Sequence, residues 1–143
     1  MSLELSVTTD GPADPQYVLE LAKGLDAITN ALVHITRHHE ALREPSDVNA
    51  LIRYLSSAKE AEAQLLEQVS GWLEAEQAAG RVGVADGSGY FTAAPVVMAA
   101  RGWLEKAQAL ERTLEQALDA AAAMTTDMTG TGDGSDEGSG EHG

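Results

Sequence analysis

The sequence predicts an all-α protein, an elongated antiparallel three-helix bundle. Three stretches of the 143-residue chain carry apolar residues at alternating spacings of three and four, the period of helices that pack lengthwise. Hydrophobic residues make up 43% of the chain but aromatic residues only 4%, which favours closely packed alanine-rich helices over a sheet. Proline and glycine separate the stretches, so we expect helices at about 15–43, 46–80 and 93–124.

The first predicted helix begins at Asp14 and Pro15, a capping residue followed by a proline at the first helical position. We expect Ile28 and Leu32 to lie at the centre of its buried seam. A link of about three residues before the second helix predicts that the chain folds back antiparallel. The seam of the first helix is Val18, Leu21, Leu25, Ile28, Leu32, Ile35, His39 and Leu42.

The second predicted helix is the longest, at roughly 50 Å. After Pro45, Ser46 is predicted to cap its first turn and Asp47 to place a carboxylate near the positive end of the helix dipole. Gly80 is predicted to end it, because glycine closes the last turn at positive φ. Its stripe is Val48, Leu51, Leu55, Ala58, Leu65, Val69, Trp72 and Ala79, interrupted by Glu62 and Glu76.

The third predicted helix starts between Thr92 and Pro95. Beyond Met124 the chain is dominated by Thr, Gly, Ser and acidic residues, with too little apolar surface to offset the entropy of ordering. We therefore predict a disordered acidic tail over residues 125–143. The stripe of the third helix is Val96, Ala100, Trp103, Ala107, Leu110, Leu114, Ala117, Ala121 and Met124.

Two short segments outside the helices suggest a small β element at one pole of the bundle. Residues 2–9 alternate apolar and polar side chains, as a strand does, and residues 82–92 place valines and aromatics on either side of an Asp-Gly-Ser-Gly turn. The two segments could pair with each other, or residues 2–9 could pair with another chain. The alternative for residues 82–92 is an irregular loop.

Four of the six aromatic residues collect at the same predicted pole: Trp72, Tyr90, Phe91 and Trp103. Trp72 and Trp103 also fit the internal stripes, so an aromatic core is one interpretation. The other is an interface, because aromatic side chains are enriched where proteins meet partners. We predict a homo-oligomer with these four residues at or near its interface.

The net charge of −14 argues against a nucleic-acid partner, because affinity for phosphate requires clustered Lys and Arg, and the nine basic residues here are scattered. No stretch reaches about 18 consecutive apolar residues, so we expect no membrane association. The basic n-region and apolar h-region of an export signal are also missing near the N-terminus. The expectation is a cytoplasmic protein whose partner is protein.

No nucleophile is accompanied by a base in a recognisable motif, and the chain has no cysteine, so we expect neither an enzyme nor a cofactor. The function we expect is association in a helical bundle, most of all self-association. The first alternative is an acidic adaptor or inhibitor that binds a basic site, through the tail or through residues 60–80, which hold five glutamates and no base. The second is a metal-binding bundle, because His34 and His38 are one helical turn apart. The interpretation we favour for these two histidines is that they flank the seam and are partly solvated.

Overall fold

The computed structural model of the protein describes residues 7–130. It contains three long α-helices: α1 at Pro15–Ile35, α2 at Pro45–Ala78 and α3 at Ala94–Thr126, with a short 3₁₀-helix at His39–Ala41. No strand occurs between residues 7 and 130, so the predicted all-α class is confirmed. The chain forms two compact units, one containing α1 and the other containing α2 and α3.

Helix α1 begins as predicted but ends earlier. The Asp14 side chain accepts a hydrogen bond from the backbone N–H of Tyr17 at 2.9 Å, and Pro15 lies in the first turn. The predicted end at residue 43 is wrong, because the helix stops at Ile35. There the Thr36 hydroxyl donates to the Leu32 carbonyl at 2.7 Å, a local bond that competes with continued helix.

The apolar seam of α1 is not buried. Leu32 is 37% exposed and Ile28 is only half-buried, so the predicted burial of these two residues is wrong. No residue of α1 is buried. The period of a sequence predicts which residues share a helix face, but it does not predict what covers that face.

The start of α2 is capped by Glu44 rather than by Ser46. Pro45 occupies the first turn, where its missing N–H costs nothing, so the capping residue is the one before it. Glu44 and Asp47 form a capping box in which each side chain accepts the other's backbone N–H; the N–H of Glu44 donates to Asp47 Oδ2 at 3.0 Å.

The end of α2 confirms the predicted role of glycine. Gly80 has a φ of 73°, and its N–H donates to the Gln77 carbonyl at 3.0 Å. The N–H of Arg81 donates to the Glu76 carbonyl at 3.0 Å, which completes a Schellman motif.

Helix α3 extends slightly beyond its predicted end. It begins at Ala94 with Pro95 in the first turn, and it continues to Thr126, where Asp127 is the C-terminal cap. The predicted tail at 125–143 therefore starts too early. Residues 131–143 lie outside the described residues.

Between α2 and α3 the chain follows an irregular loop. The predicted hairpin over 82–92 is not formed, and residues 7–9 form no strand; residues 2–6 lie outside the described residues. Gly87 and Gly89 take φ values of 81° and 84°, and the N–H of Ser88 donates to the Ala85 carbonyl at 3.2 Å. A local turn therefore stands where the hairpin was predicted.

Helices α2 and α3 pack against each other as an antiparallel hairpin. Polar contacts between the helices show that they run in opposite directions. Successive residues along α2 contact residues that lie progressively earlier along α3. These contacts join Asn49 with Ala122, Ser56 with Asp119, Lys59 with Glu111, and Ser70 with Arg101.

Candidate interaction surface

The seam between α2 and α3 is built largely from small and polar residues. Its buried side chains are Ser56, Ala63, Ser70, Val97, Gln108 and Ala122. All seam positions are buried or half-buried and follow alternating spacings of three and four. On α2 they are Asn49, Ile52, Ser56, Lys59, Ala63, Leu66, Ser70, Leu73 and Gln77, and on α3 Val97, Arg101, Leu104, Gln108, Glu111, Glu115, Leu118, Ala122 and Thr125.

The predicted apolar stripes of both helices lie one residue away from this seam. Apart from Ala79, which lies beyond the end of α2, every predicted position of the two stripes immediately precedes a seam position, a rotation of about 100° around the helix. The prediction that the stripes form the contact between these helices is therefore wrong. The predicted period was correct, but the prediction took the most apolar positions as the contact. The helices instead meet through the neighbouring positions, where small side chains such as Ala63 and Ser70 allow close packing.

The two stripes are largely exposed to solvent. Nine of their large apolar side chains have exposed fractions between 36% for Val96 and 69% for Leu110, whereas Val48 and Leu51 are half-buried. Apart from Tyr54 and Met98, every exposed large apolar residue of α2 and α3 belongs to a stripe. The exposed stripe residues are Leu55, Leu65, Val69 and Trp72 on α2, and Val96, Trp103, Leu110, Leu114 and Met124 on α3.

Both stripes lie on the same face of the hairpin. Each stripe is displaced from the seam by one residue toward the N-terminus of its own helix. Because the helices are antiparallel, this displacement turns both stripes toward the same side of the plane that contains the two helix axes. We call this combined surface the apolar face.

The opposite side of the hairpin, the charged face, carries seven charged residues and no large apolar stripe. Its charged residues are Arg53, Glu60, Glu67, Glu74, Glu105, Arg112 and Asp119. The stripes contain only Glu62 and Glu76, and both have partners in the chain. Lys59 Nζ lies 2.9 Å from Glu62 Oε2, and Arg81 Nε lies 2.6 Å from Glu76 Oε2. The hairpin is therefore amphipathic as a unit.

A cluster of three charged residues crosses the middle of the seam. Lys59 Nζ lies 3.9 Å from Glu111 Oε2, too far for a hydrogen bond, and this buried oxygen has no hydrogen-bond partner. Burial raises the pKa of Glu111, and the nearby Glu62 carboxyl raises it further. The hydrogen bond to Glu62 raises the pKa of Lys59, so this ammonium stays charged.

The four predicted interface residues are all exposed. Trp72 and Trp103 lie in the two stripes, whereas Tyr90 and Phe91 belong to the loop between the helices. The alternative interpretation, in which Trp72 and Trp103 pack in an aromatic core, is wrong, since neither is buried. Lys106 Nζ lies 4.6 Å from the centroid of the Trp103 ring. Exposure leaves these aromatics accessible to a partner.

The two candidate metal ligands do not share a helix face. His34 lies in the last turn of α1, and His38 follows the end of the helix with an extended backbone. The spacing of one helical turn therefore does not bring their imidazoles together. No group of three or more His, Asp or Glu side chains between residues 7 and 130 could hold a metal ion.

Two open clefts run beside the seam, with volumes of about 290 and 300 Å³. Their walls are formed mainly by Glu, Gln and Arg side chains of the charged face. The first is lined by Glu60, Ala63, Gln64, Arg112, Glu115 and Gln116, and the second by Glu67, Ser70, Gly71, Glu74, Arg101, Glu105 and Gln108. Neither pairs a nucleophile with a histidine base.

No family model, no curated protein and no solved structure matches this chain. Within residues 7–130, none of the helices combines the length and apolar character needed to span a bilayer.

Proposed function

We propose that this protein is a non-enzymatic assembly protein that associates with itself through its helices. The observation that carries the proposal is the apolar face, on which large apolar side chains of α2 and α3 stand exposed along one side of the hairpin. Monomeric proteins rarely expose a contiguous apolar patch of more than a few hundred Å², and larger patches mark sites of association.

The spacing of the stripes supports a coiled-coil type of association. Alternating steps of three and four residues place side chains in a line along each helix, the arrangement that lets them fit between the side chains of another helix. Helices α2 and α3 have 34 and 33 residues. Such lengths allow the contact to extend over roughly 50 Å.

An acidic adaptor or inhibitor is the second candidate, and the charged face supports it. Glu60, Glu67, Glu74, Glu105 and Asp119 lie on this side of the hairpin with only Arg53 and Arg112 among them. A basic site on a partner would meet a complementary field there, strongest at low ionic strength.

The mass of the full chain in solution separates the two candidates. Sedimentation velocity and light scattering at concentrations from 1 to about 100 μM should show an oligomer, with an association that persists in 0.5 M NaCl because apolar contacts resist screening. A chain that remains a monomer of 15.0 kDa throughout would remove the self-association proposal and leave the adaptor.

A further inference from the structure

We infer that the apolar face of the hairpin is covered by the apolar face of a second copy of this chain, in a symmetric dimer. The inference rests on the proposed self-association and identifies the surface that performs it. It follows from the area of the face, its lack of unpaired carboxylates and the acidity of the remaining surface.

The area matches what a stable dimer requires. Nine large apolar side chains of the two stripes are between 36% and 69% exposed. At roughly 100 Å² each, they present on the order of 900 Å², comparable with the ~800 Å² that each partner contributes to a standard interface. The two tryptophans supply a large part of this area and are the residue type most enriched among strong contacts.

The charge distribution favours contact between two copies at the apolar face over contact at any other surface of the hairpin. Two chains of net charge −14 repel each other wherever their acidic surfaces meet. On the apolar face the only acidic groups are Glu62 and Glu76, paired with Lys59 and Arg81. Face-to-face association therefore brings together apolar surface and keeps the charged faces of both copies in solvent.

The geometry suits a twofold arrangement. A symmetric dimer uses the same patch on both copies, so the patch must be complementary to itself. An apolar face formed by two antiparallel stripes meets this condition, because each stripe of one copy meets an apolar stripe of the other. The product is a four-helix arrangement whose central layer contains side chains such as Leu65 and Leu110.

A lipid surface is a less suitable occupant. Amphipathic helices that lie on membranes carry Lys and Arg along their polar side. On this hairpin the polar side is mainly acidic, with Glu60, Glu67 and Glu74 along α2. Anionic headgroups would repel it, whereas a second copy leaves it free in water.

The test compares two double variants of the full chain that add equal charge. Leu65→Glu with Leu110→Glu places carboxylates in the middle of the apolar face. Tyr54→Glu with Met98→Glu is the matched control, because both side chains are highly exposed, at 77% and 74%, and lie outside the stripes. Circular dichroism checks that each variant retains its helices, as expected for exposed positions.

We expect the wild type and the control to sediment as dimers at tens of micromolar. The Leu65→Glu, Leu110→Glu variant should dissociate about 100-fold more easily or remain monomeric, because each dimer loses four buried leucines and gains four buried carboxylates. If this variant dimerises as tightly as the control, or both variants dissociate equally, the inference is overturned while self-association survives. A monomeric wild type overturns both.

Discussion

Trp72 on α2 and Trp103 on α3 lie at the same level of the hairpin, one in each stripe, with 60% and 69% of their surfaces exposed. Contacts of Arg101, two residues before Trp103, show this alignment. Its guanidinium donates to Ser70 Oγ at 3.1 Å and pairs with Glu74 at 3.0 Å, and these two residues flank Trp72 in the sequence. Two large indoles thus mark one end of the apolar face. Partner contacts are enriched in tryptophan, which makes this end a natural anchor.

The position of the seam can be tested by enlarging two alanines of α2, one buried in the seam and one exposed. Ala63 is 3% exposed in the seam, whereas Ala61 is exposed two residues earlier. Ala63→Leu should lower the free energy of unfolding by about 1–3 kcal/mol, because the added atoms have no room between the helices. Ala61→Leu should change it by less than ~0.5 kcal/mol. Urea unfolding measures both, and equal effects would show that the seam lies elsewhere.

Replacing glycine by alanine should have opposite effects on stability at Gly80, just after the end of α2, and at Gly71, within the helix. Gly80→Ala should cost about 1 kcal/mol of stability, because alanine disfavours the positive φ of 73° at this position. Gly71→Ala should gain roughly 0.5–1 kcal/mol, since a Cβ there meets no neighbouring atom within 4 Å and alanine favours helix. Thermal unfolding followed at 222 nm compares them. A stabilising Gly80→Ala would contradict the Schellman motif.

Glu111 should make the stability of the hairpin depend on pH. Its pKa is raised in the folded state, so the ionised form costs stability above the ordinary carboxyl pKa of 4.5, and this cost disappears as pH falls below that value. Lys59 does not alter the trend, because its raised pKa keeps it charged throughout this range. Glu111→Gln should therefore raise Tm at pH 7 by a few degrees, and the gain should shrink toward pH 4.

Glu105→Gln is the control for this experiment. It removes one acidic charge from the same helix, but Glu105 is exposed on the charged face. Its Tm should differ little from that of the wild type at either pH. If both glutamine variants gave the same shift at pH 7, the effect would come from net charge and not from the burial of Glu111.

The sequence predicted the elements of the fold because their signals are local. Asp14 with Pro15 marks the start of α1 and Gly80 marks the end of α2, and both work through hydrogen bonds within a few residues. The early end of α1 at Ile35 was missed, since the apolar pattern continues through His39 and Leu42 and the helix ends beside a local bond from the Thr36 hydroxyl to the Leu32 carbonyl.

The contact between α2 and α3 could not be predicted from hydrophobicity, because the buried positions are less apolar than their neighbours. Ser56 donates to Asp119, and the Asn49 amide donates to the Ala122 carbonyl at 2.7 Å, so polar side chains are satisfied across the seam. One signal in the sequence was available: small residues recur every seven positions at Ser56, Ala63 and Ser70.

The tryptophans provide the most direct measurement of the central claim that the apolar face is where two copies meet. The chain contains two tryptophans, and both lie on this face, so acrylamide quenching of their fluorescence reports its exposure. We predict efficient quenching in dilute solution that decreases as the concentration rises through the range in which the mass doubles. The Leu65→Glu, Leu110→Glu variant should remain fully quenched at all concentrations. Quenching of the wild type that stays constant while its mass doubles would contradict the account.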